Sequence, residues 1–234
     1  MILYVTMSIN SPKNLVSKFF TNTSGSYDKV VHWTTFGKDG IWKKEILNKI
    51  YGRSILDLAC GTGILTRKIA RRFPHANVIG VDITTSYLDV ARLNSESFGN
   101  ILFIRQDAEK LELDQRFDSI TSSYIPKYCD AKTLIKKCVM HLNPNGVIIL
   151  HDFTYPRNIF VRIIWHLYFV LLRLIGCFIP PWKDAFIILP KLIRSSTWLK
   201  DYISAMKEVG LDTEFHYFTL GSCAILVGRK LDNS

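Results

Sequence analysis

Residues 54–63 constrain the fold of this chain more than any other stretch. The run Ser-Ile-Leu-Asp-Leu at 54–58 is short and largely apolar, which is typical of a strand covered on both faces of a sheet. A turn with Gly61 and Gly63 follows, where small residues let a ligand approach the backbone. A helix rich in Lys and Arg comes next, and its first N–H groups are free to face an anionic group of a ligand. The stretch therefore predicts a strand, a ligand-binding turn and a helix.

A second anchor follows about twenty residues after the turn, at the spacing where a carboxylate accepts hydrogen bonds from ribose hydroxyls. The stretch 77–82 is predicted to be an apolar strand that ends in Asp82. Thr66 occupies the place of the third glycine in a dinucleotide-binding pattern, and Asp57 precedes the glycines. An acid there suits a cationic amino group and would repel a pyrophosphate. A tight turn without any ligand is the alternative reading of the glycine pair.

Strands and helices alternate along the chain, and this order predicts an α/β fold. The expected sheet is doubly wound, seven-stranded and mostly parallel, with right-handed crossovers and a C-terminal antiparallel hairpin. The strands are expected at 54–58, 77–82, 101–105, 117–122, 146–152, 212–219 and 223–229, and the helices at 63–73, 84–97, 131–141 and 197–209. Ligands of such sheets bind beyond the carboxyl ends of the strands, so Asp57, Asp82, Asp107, Ser123 and the pair His151-Asp152 are expected around one cleft.

The motif resembles that of the class I S-adenosylmethionine-dependent methyltransferases, in which an acid and three glycines join the first strand to its helix. Asp57, Ala59, Gly61 and Gly63 stand at those four positions, with alanine for the first glycine. The resemblance implies a Rossmann-like methyltransferase fold that binds S-adenosyl-L-methionine. It implies roles for further residues: Gly61, Thr62 and Gly63 at the methionine portion, Asp82 at the ribose, Asp107 with Ala108 at the adenine, and Ser123 in the same pocket.

Longer segments resemble the ubiquinone/menaquinone biosynthesis C-methyltransferase family. Tyr27-Asp28, Phe36-Gly37 and Trp42-Lys43 match its N-terminal pattern, and 117–123, 142–146 and 220–225 also align with it. This resemblance implies methylation of an apolar, quinone-like or lipid-like small molecule. It also implies that the N-terminal segment, with Tyr27, folds over the cofactor.

The segment after the fourth strand departs from the family. There the quinone enzymes carry an arginine and an asparagine that face the quinol ring, whereas this chain has Lys127 and Tyr128. Lysine does not replace the hydrogen-bonding fork of arginine, so the acceptor need not be the usual quinol. Tyr27, Tyr124 and Lys127 are the expected substrate-binding residues. No catalytic base is assigned: His32, Lys127 and His151 are candidates, each with a plain alternative of packing, solvation or a backbone hydrogen bond.

Residues 159–180 are apolar yet carry Arg162, His166 and Arg173. At 100° per residue the second and third of these lie within about 40° of the first, so they form one narrow stripe on a helix. Three readings stay open. The segment could span a membrane, although two arginines make this costly. It could pack on the domain with the stripe outward, or it could have a functional role, either capping an apolar substrate pocket or lying in the membrane interface, where arginines meet anionic headgroups.

Composition indicates a single domain over 1–234, with a helical cap at 1–50 and an apolar helical insertion at 155–196. Five scattered cysteines, without Cys-x-x-Cys spacing, argue against disulfides and a metal site, and Cys60 is expected to be a packing residue. Residues 1–7 lack a signal-peptide pattern, so we expect a cytoplasmic protein, with a peripheral position on the inner face of the membrane as a further option.

The chain carries 30 Lys and Arg against 20 Asp and Glu. The basic runs, 38–49 among them, are not interleaved with aromatic residues, so they are expected to be solvated surface and nucleic acid is an unlikely partner. Three rival functions stay open at this point: an RNA methyltransferase, a nicotinamide oxidoreductase, and a non-catalytic S-adenosylmethionine-binding module. The sequence does not indicate the oligomeric state.

Overall fold

The computed structural model describes residue 20 and residues 22–230. The signal-peptide expectation for 1–7 and most of the first half of the predicted cap lie outside these residues. Seven strands form one sheet: β1 Ser54–Leu58, β2 Asn77–Asp82, β3 Ile101–Arg105, β4 Phe117–Ser123, β5 Leu142–Phe153, β6 Leu211–Phe218 and β7 Cys223–Lys230. Eight α-helices are described: α1 Tyr27–Thr34, α2 Lys38–Leu47, α3 Ile64–Arg72, α4 Thr85–Leu93, α5 Ala131–Met140, α6 Ile159–Gly176, α7 Lys183–Ser195 and α8 Trp198–Glu208.

The strand order confirms the predicted fold class. The sheet runs β3-β2-β1-β4-β5-β7-β6, and β1 to β5 are parallel to one another. Strand β7 is antiparallel to both of its neighbours, β5 and β6, and β6 with β7 forms the predicted C-terminal hairpin. Because the order reverses between β1 and β4, the carboxyl ends of these two strands flank the expected ligand crevice.

Strand β5 begins four residues earlier than expected, because residues 142–145 form an irregular first part of the strand. Asn145 takes a positive φ of 59°, and the pairing with β4 shifts register between Phe117 and Ser119. Asparagine tolerates this backbone region better than most residues do, so the strand continues across the irregularity.

The side chains of the central strands alternate between two cores. On one face Leu56, Leu58 and Ile120 pack with α5 and α8 in a cluster that includes Trp198 and Tyr202. On the other face, residues such as Ile55 and Ile149 pack against α2 and α3. A sheet buried on both faces needs apolar residues at successive positions, and this is the pattern that the sequence carries in β1.

A third apolar cluster joins α6 and α7 near the end of β5. Trp165, Phe169 and Trp182 are buried in it, and Tyr27 of α1 packs against it. These helices lie in the predicted insertion at 155–196, and α1 and α2 lie in the predicted cap. The division of the chain into one domain with a cap and an insertion stays a prediction.

Gly80 gives a test of packing beside the glycine turn. A Cβ at Gly80 would lie 2.8 Å from the ring of Phe103, its partner on β3, whereas a Cβ at Gly99 meets nothing within 4 Å. We expect Gly80→Ala to lower the free energy of unfolding by about 1–3 kcal/mol, because the ring must move. Gly99→Ala should be neutral or stabilising by up to about 1 kcal/mol. Urea unfolding measures both, and adding Phe103→Leu should restore part of the loss. Equal effects of the two glycine variants would contradict this packing.

Candidate active site

The turn after β1 is held by the carboxylate that ends β2. Asp82 accepts the Gly61 N–H at 2.9 Å on one oxygen and the Thr84 N–H at 2.8 Å on the other. Ala59, Gly61 and Gly63 all take positive φ, so the chain forms the turn with alanine in a backbone region that usually requires glycine. Asp82 also lies in the wall of a large cavity, where a ligand can reach it. These oxygens fit the hydroxyls of a ribose.

Asp57 is buried behind the turn and has one close polar partner. Its Oδ2 accepts the Thr66 hydroxyl at 2.6 Å. Burial raises the pKa of Asp57 to about 7, although the Thr66 hydrogen bond and the Lys43 charge oppose this shift. The carboxyl borders a small cavity of 30 Å³ that Thr62 also lines. A cationic ligand group placed here would favour the ionised carboxylate.

The N-terminal cap is joined to the turn by polar contacts. The Thr62 hydroxyl donates to Asp28 at 2.5 Å, and Arg67 forms an ion pair with the same carboxylate at 3.4 Å. Thr23 and Tyr87 share a hydrogen bond of 2.7 Å between their hydroxyls. Helix α1 is therefore held against the turn.

A cavity of 1280 Å³ extends from the turn to helix α6. Most of the predicted site residues lie in its wall: Tyr27, Ala59, Gly61, Asp82, Asp107, Ala108, Ser123, Tyr124 and Lys127.

Gly63 lines neither this cavity nor the small one. A Cβ at Gly63 would lie 3.2 Å from Phe103 and 3.3 Å from Ala91, so this glycine packs the turn onto its neighbours. Cys60 is buried, and burial raises its pKa well above the usual thiol value, which agrees with a packing role.

Lys127 is buried, and the solvated-loop alternative was wrong. Its Nζ forms an ion pair with Asp152 at 2.7 Å and donates to the Tyr124 carbonyl at 2.8 Å. Burial lowers the pKa of the ammonium, while Asp152 opposes the shift. Lys127 therefore lies in the cavity wall with its ammonium already bound to Asp152.

The two candidate histidines are not in the wall of the large cavity. His32 is exposed on α1. His151 is buried beneath Ser123, whose hydroxyl lies 3.0 Å from its Nδ1, and burial lowers its pKa to about 3. His151 and Asp152 thus lie behind the residues that line the cavity, and they do not face the cleft as expected.

Sequence reasoning missed Asp39 and Lys43, which it counted within a solvated basic run. Both are buried on α2 and form an ion pair, and Asp39 accepts the Tyr124 hydroxyl at 2.7 Å. Their spacing of four residues, which places them on one helix face, was the signal that could have found them. Trp182, just before α7, and Phe186 and other α7 residues in the cavity wall were also missed.

Helix α6 buries one face and exposes an apolar face opposite to it. Trp165, Phe169, Leu172 and Gly176 are buried, whereas ten apolar side chains between 159 and 178 are exposed, with Phe160 73% and Phe178 87% exposed. The basic stripe lies between these faces, with His166 and Arg173 exposed and Arg162 half-buried. Arg162 donates to the Pro156 carbonyl at 2.7 Å and lies over the Tyr155 ring, and His166 contacts the Tyr155 hydroxyl at 3.1 Å.

Within the described part of the chain, α6 alone is long and apolar enough to cross a membrane, and 22% of it is buried. Length and composition are weak evidence for a span. The helix also lines the cavity and packs on α7, and it would lose these contacts in a spanning position.

Comparisons with known proteins agree with the site. The model of the ubiE/COQ5 methyltransferase family matches residues 6–230. The demethylmenaquinone methyltransferase of Lactobacillus johnsonii is 28% identical over 98% of this chain and 98% of its own length. The ubiquinone/menaquinone biosynthesis C-methyltransferase of Saccharophagus degradans is 29% identical, covering 97% of this chain and 96% of its own.

Solved structures share the fold. The magnesium protoporphyrin IX methyltransferase of Synechocystis, solved with S-adenosylhomocysteine, has a TM-score of 0.65 at 16% identity, over 93% of this chain and 99% of that one. The N-methyltransferase NodS of Bradyrhizobium japonicum has a TM-score of 0.62 at 13% identity, over 95% of this chain and 100% of that one. With a family model that spans nearly the whole sequence, this chain belongs to the ubiE/COQ5 methyltransferase family and is an S-adenosylmethionine-dependent methyltransferase.

Proposed function

We propose that this enzyme methylates an apolar, quinone-like small molecule, which it takes from a membrane surface. The size and lining of the large cavity carry the proposal. At 1280 Å³ it exceeds the usual range of about 300–1,000 Å³ for one small ligand, so a cofactor and an acceptor fit together. The demethylmenaquinone and ubiquinone/menaquinone methyltransferases among the relatives support a quinone-like acceptor.

The cofactor is assigned to the end of the cavity at the glycine turn. Asp82 would hold the ribose hydroxyls, and Asp107 and Ala108 would border the adenine. Gly61, Thr62 and Gly63 would form the turn at the methionine portion, where Asp57 would face the amino group. Ser123 would line the same part of the cavity.

The acceptor is assigned to the other end, beneath α1, α6 and α7. Tyr27, Trp165, Tyr168 and Leu189 line this part, and the walls there are mostly apolar and aromatic. The bound cofactor supplies the methyl group. The residues contribute alignment and the exclusion of water, because holding two reactants at attack distance removes a large part of the barrier to transfer.

The decisive experiment is methylation of demethylmenaquinone, reduced to the quinol, by radiolabelled S-adenosylmethionine. We expect label in the extracted quinone with the wild-type enzyme. Asp82→Ala should lower the affinity for S-adenosylhomocysteine by at least about tenfold in calorimetry, because the ribose acceptors are lost. A labelled total lipid and metabolite extract identifies the acceptor if the quinol fails, and absence of any labelled product would indicate a non-catalytic module.

Asp118→Ala is the matched control. Asp118 also accepts two backbone N–H groups, from Arg53 at 2.8 Å and Ser54 at 3.1 Å, but at the start of the strands. Its removal should leave the cofactor affinity unchanged. Equal losses in the two variants would mean that Asp82 acts through folding alone.

Asp57 predicts a pH dependence of cofactor affinity. The raised pKa of about 7 means that the free protein holds a proton there below pH 7, and a cationic amino group must displace it. Affinity for S-adenosylhomocysteine should therefore rise by up to about tenfold per pH unit below 7 and level off above it. In the free protein, Asp57 binds its proton more tightly in the folded state than in the unfolded state. The free energy of unfolding should therefore fall as pH rises from about 4 to about 7.

Asp57→Asn should flatten the affinity profile, and calorimetry in buffers of different ionisation enthalpy should detect proton release only in the wild type. A slope that persists in the asparagine variant would assign the pH dependence to another group.

The exposed apolar face of α6 supports the membrane part of the proposal. Ile164, Leu167 and Leu171 reach from this face into the cavity wall, and Phe36 and Leu220, both largely exposed, complete that side of the wall. Arg173 is exposed beside the face, where it can meet an anionic headgroup. An amphipathic helix of this kind lies in the membrane interface, which is consistent with a cytoplasmic enzyme on the inner face of the membrane.

Flotation with anionic vesicles tests the surface. Ile163→Gln with Leu174→Gln removes two exposed apolar side chains that do not line the cavity, and should lower partitioning by at least about tenfold. Arg173→Gln should lower it by about fivefold, and only on anionic vesicles. Leu93→Gln with Leu102→Gln, exposed elsewhere, is the control. If none of these variants changes the flotation, α6 does not bind the membrane and has only a packing role.

A further inference from the structure

A buried polar chain lies in the wall between the small cavity and the large one. The Tyr124 hydroxyl donates to Asp39 at 2.7 Å, and the same carboxylate forms an ion pair with Lys43. Asp39 is 7% exposed and Lys43 is 4% exposed. Tyr124 borders both cavities, so the chain ends at the place where the cofactor and acceptor parts meet.

Stability alone does not account for this chain. Replacing a buried ion pair by apolar residues is often neutral or stabilising, because two charges must be taken out of water. Helix α2 already has apolar anchors, since Trp42 and Ile46 are buried. The pair therefore has a role that apolar residues would not supply.

Tyr124 is held in a strained backbone conformation. Its φ is +78°, which costs a residue with a side chain of the order of 1–3 kcal/mol. Its N–H donates to the His151 carbonyl at 2.7 Å, its own carbonyl accepts from Lys127, and its ring stacks on Phe153. Surrounding contacts thus fix both the backbone and the ring, and such strain is concentrated at functional sites.

The hydrogen bond to Asp39 sets the polarity of the Tyr124 oxygen. Burial would raise the pKa of Asp39, but the Lys43 ammonium and the hydrogen bonds from Lys43 and Tyr124 lower it overall, so the carboxyl is ionised. Burial and then the charge of Asp39 raise the pKa of Tyr124 well above its usual value, so the phenol keeps its proton. Because the Tyr124 hydroxyl donates its proton to Asp39, the phenol oxygen can only accept a hydrogen bond from a ligand.

We propose that Tyr124, oriented by Asp39 and Lys43, is the specificity-determining residue that selects acceptors presenting a hydroxyl donor. This rests on the proposed function, because it places the acceptor in the large cavity. An acceptor hydroxyl that donates to Tyr124 is fixed in orientation, and its oxygen releases more electron density to the atom that takes the methyl group. An ether has no proton to donate, so it cannot make this hydrogen bond to the Tyr124 oxygen.

Paired ligands that differ only in the hydroxyl test the proposal. Calorimetry with saturating S-adenosylhomocysteine, so that no reaction occurs, compares 1,4-naphthohydroquinone with its dimethyl ether, and 2-naphthol with 2-methoxynaphthalene. The wild type should bind each hydroxyl compound about tenfold more tightly than its ether. Tyr124→Phe should abolish this preference, and so should Asp39→Leu with Lys43→Met, which removes the acceptor of the phenol proton and leaves no lone buried charge.

Tyr168→Phe is the matched control. Tyr168 lines the same cavity, and its hydroxyl donates to the Thr34 carbonyl. Its removal should leave the tenfold preference intact. No preference in the wild type, or a preference that survives Tyr124→Phe, would overturn the inference. If the naphthol pair binds and the hydroquinone pair does not, the result counts against a quinone-like acceptor. The preference for 2-naphthol over its ether would then still test the role of Tyr124.

Discussion

The two hydrogen bonds that Asp82 accepts are the contacts on which the site depends. The Gly61 N–H comes from the turn after β1, and the Thr84 N–H comes from the chain that leaves β2. One carboxylate thus fixes the geometry of two neighbouring strand ends, and it also lies in the cavity wall. The turn also positions the cap, because Asp28 of the cap accepts from the Thr62 hydroxyl and forms an ion pair with Arg67. Two carboxylates thus frame the cofactor end of the cavity, since Asp82 holds the turn to the end of β2 and Asp28 holds the cap to the turn.

The sheet and the cofactor end of the site could be predicted from sequence because their signals are local. An apolar run, a glycine turn and an acid at a fixed distance identify β1, β2 and Asp82 without knowledge of any distant partner. Gly63 was placed in the right turn, but its packing against neighbouring elements was not predicted. Its neighbours Phe103 and Ala91 come from other elements, and no local pattern shows that they fill the space beside it.

The acceptor end could not be predicted in the same way, because its residues depend on distant partners. Lys127 is buried because Asp152, at the end of β5, accepts from it, and Lys43 is buried with Asp39 beneath Tyr124. Each lysine looks like surface in a sequence that has many basic residues. Helix α6 is a similar case. The sequence pattern predicted that its basic residues share one stripe, but the face of the helix that is buried depends on contacts with α7 and Tyr155.

The contacts of Asp28 have a consequence for the order of events during turnover. Helix α1 is fastened to the glycine turn through a carboxylate whose side chain is 40% exposed, and α6 lines the other end of the cavity. If the cofactor binds at the turn as proposed, exchange of spent cofactor would require these contacts to break, whereas an apolar product at the α6 end would not. Movements of such caps take microseconds to milliseconds and limit turnover in many enzymes. The Asp28 contacts would then couple cofactor exchange, and not acceptor exchange, to movement of the cap.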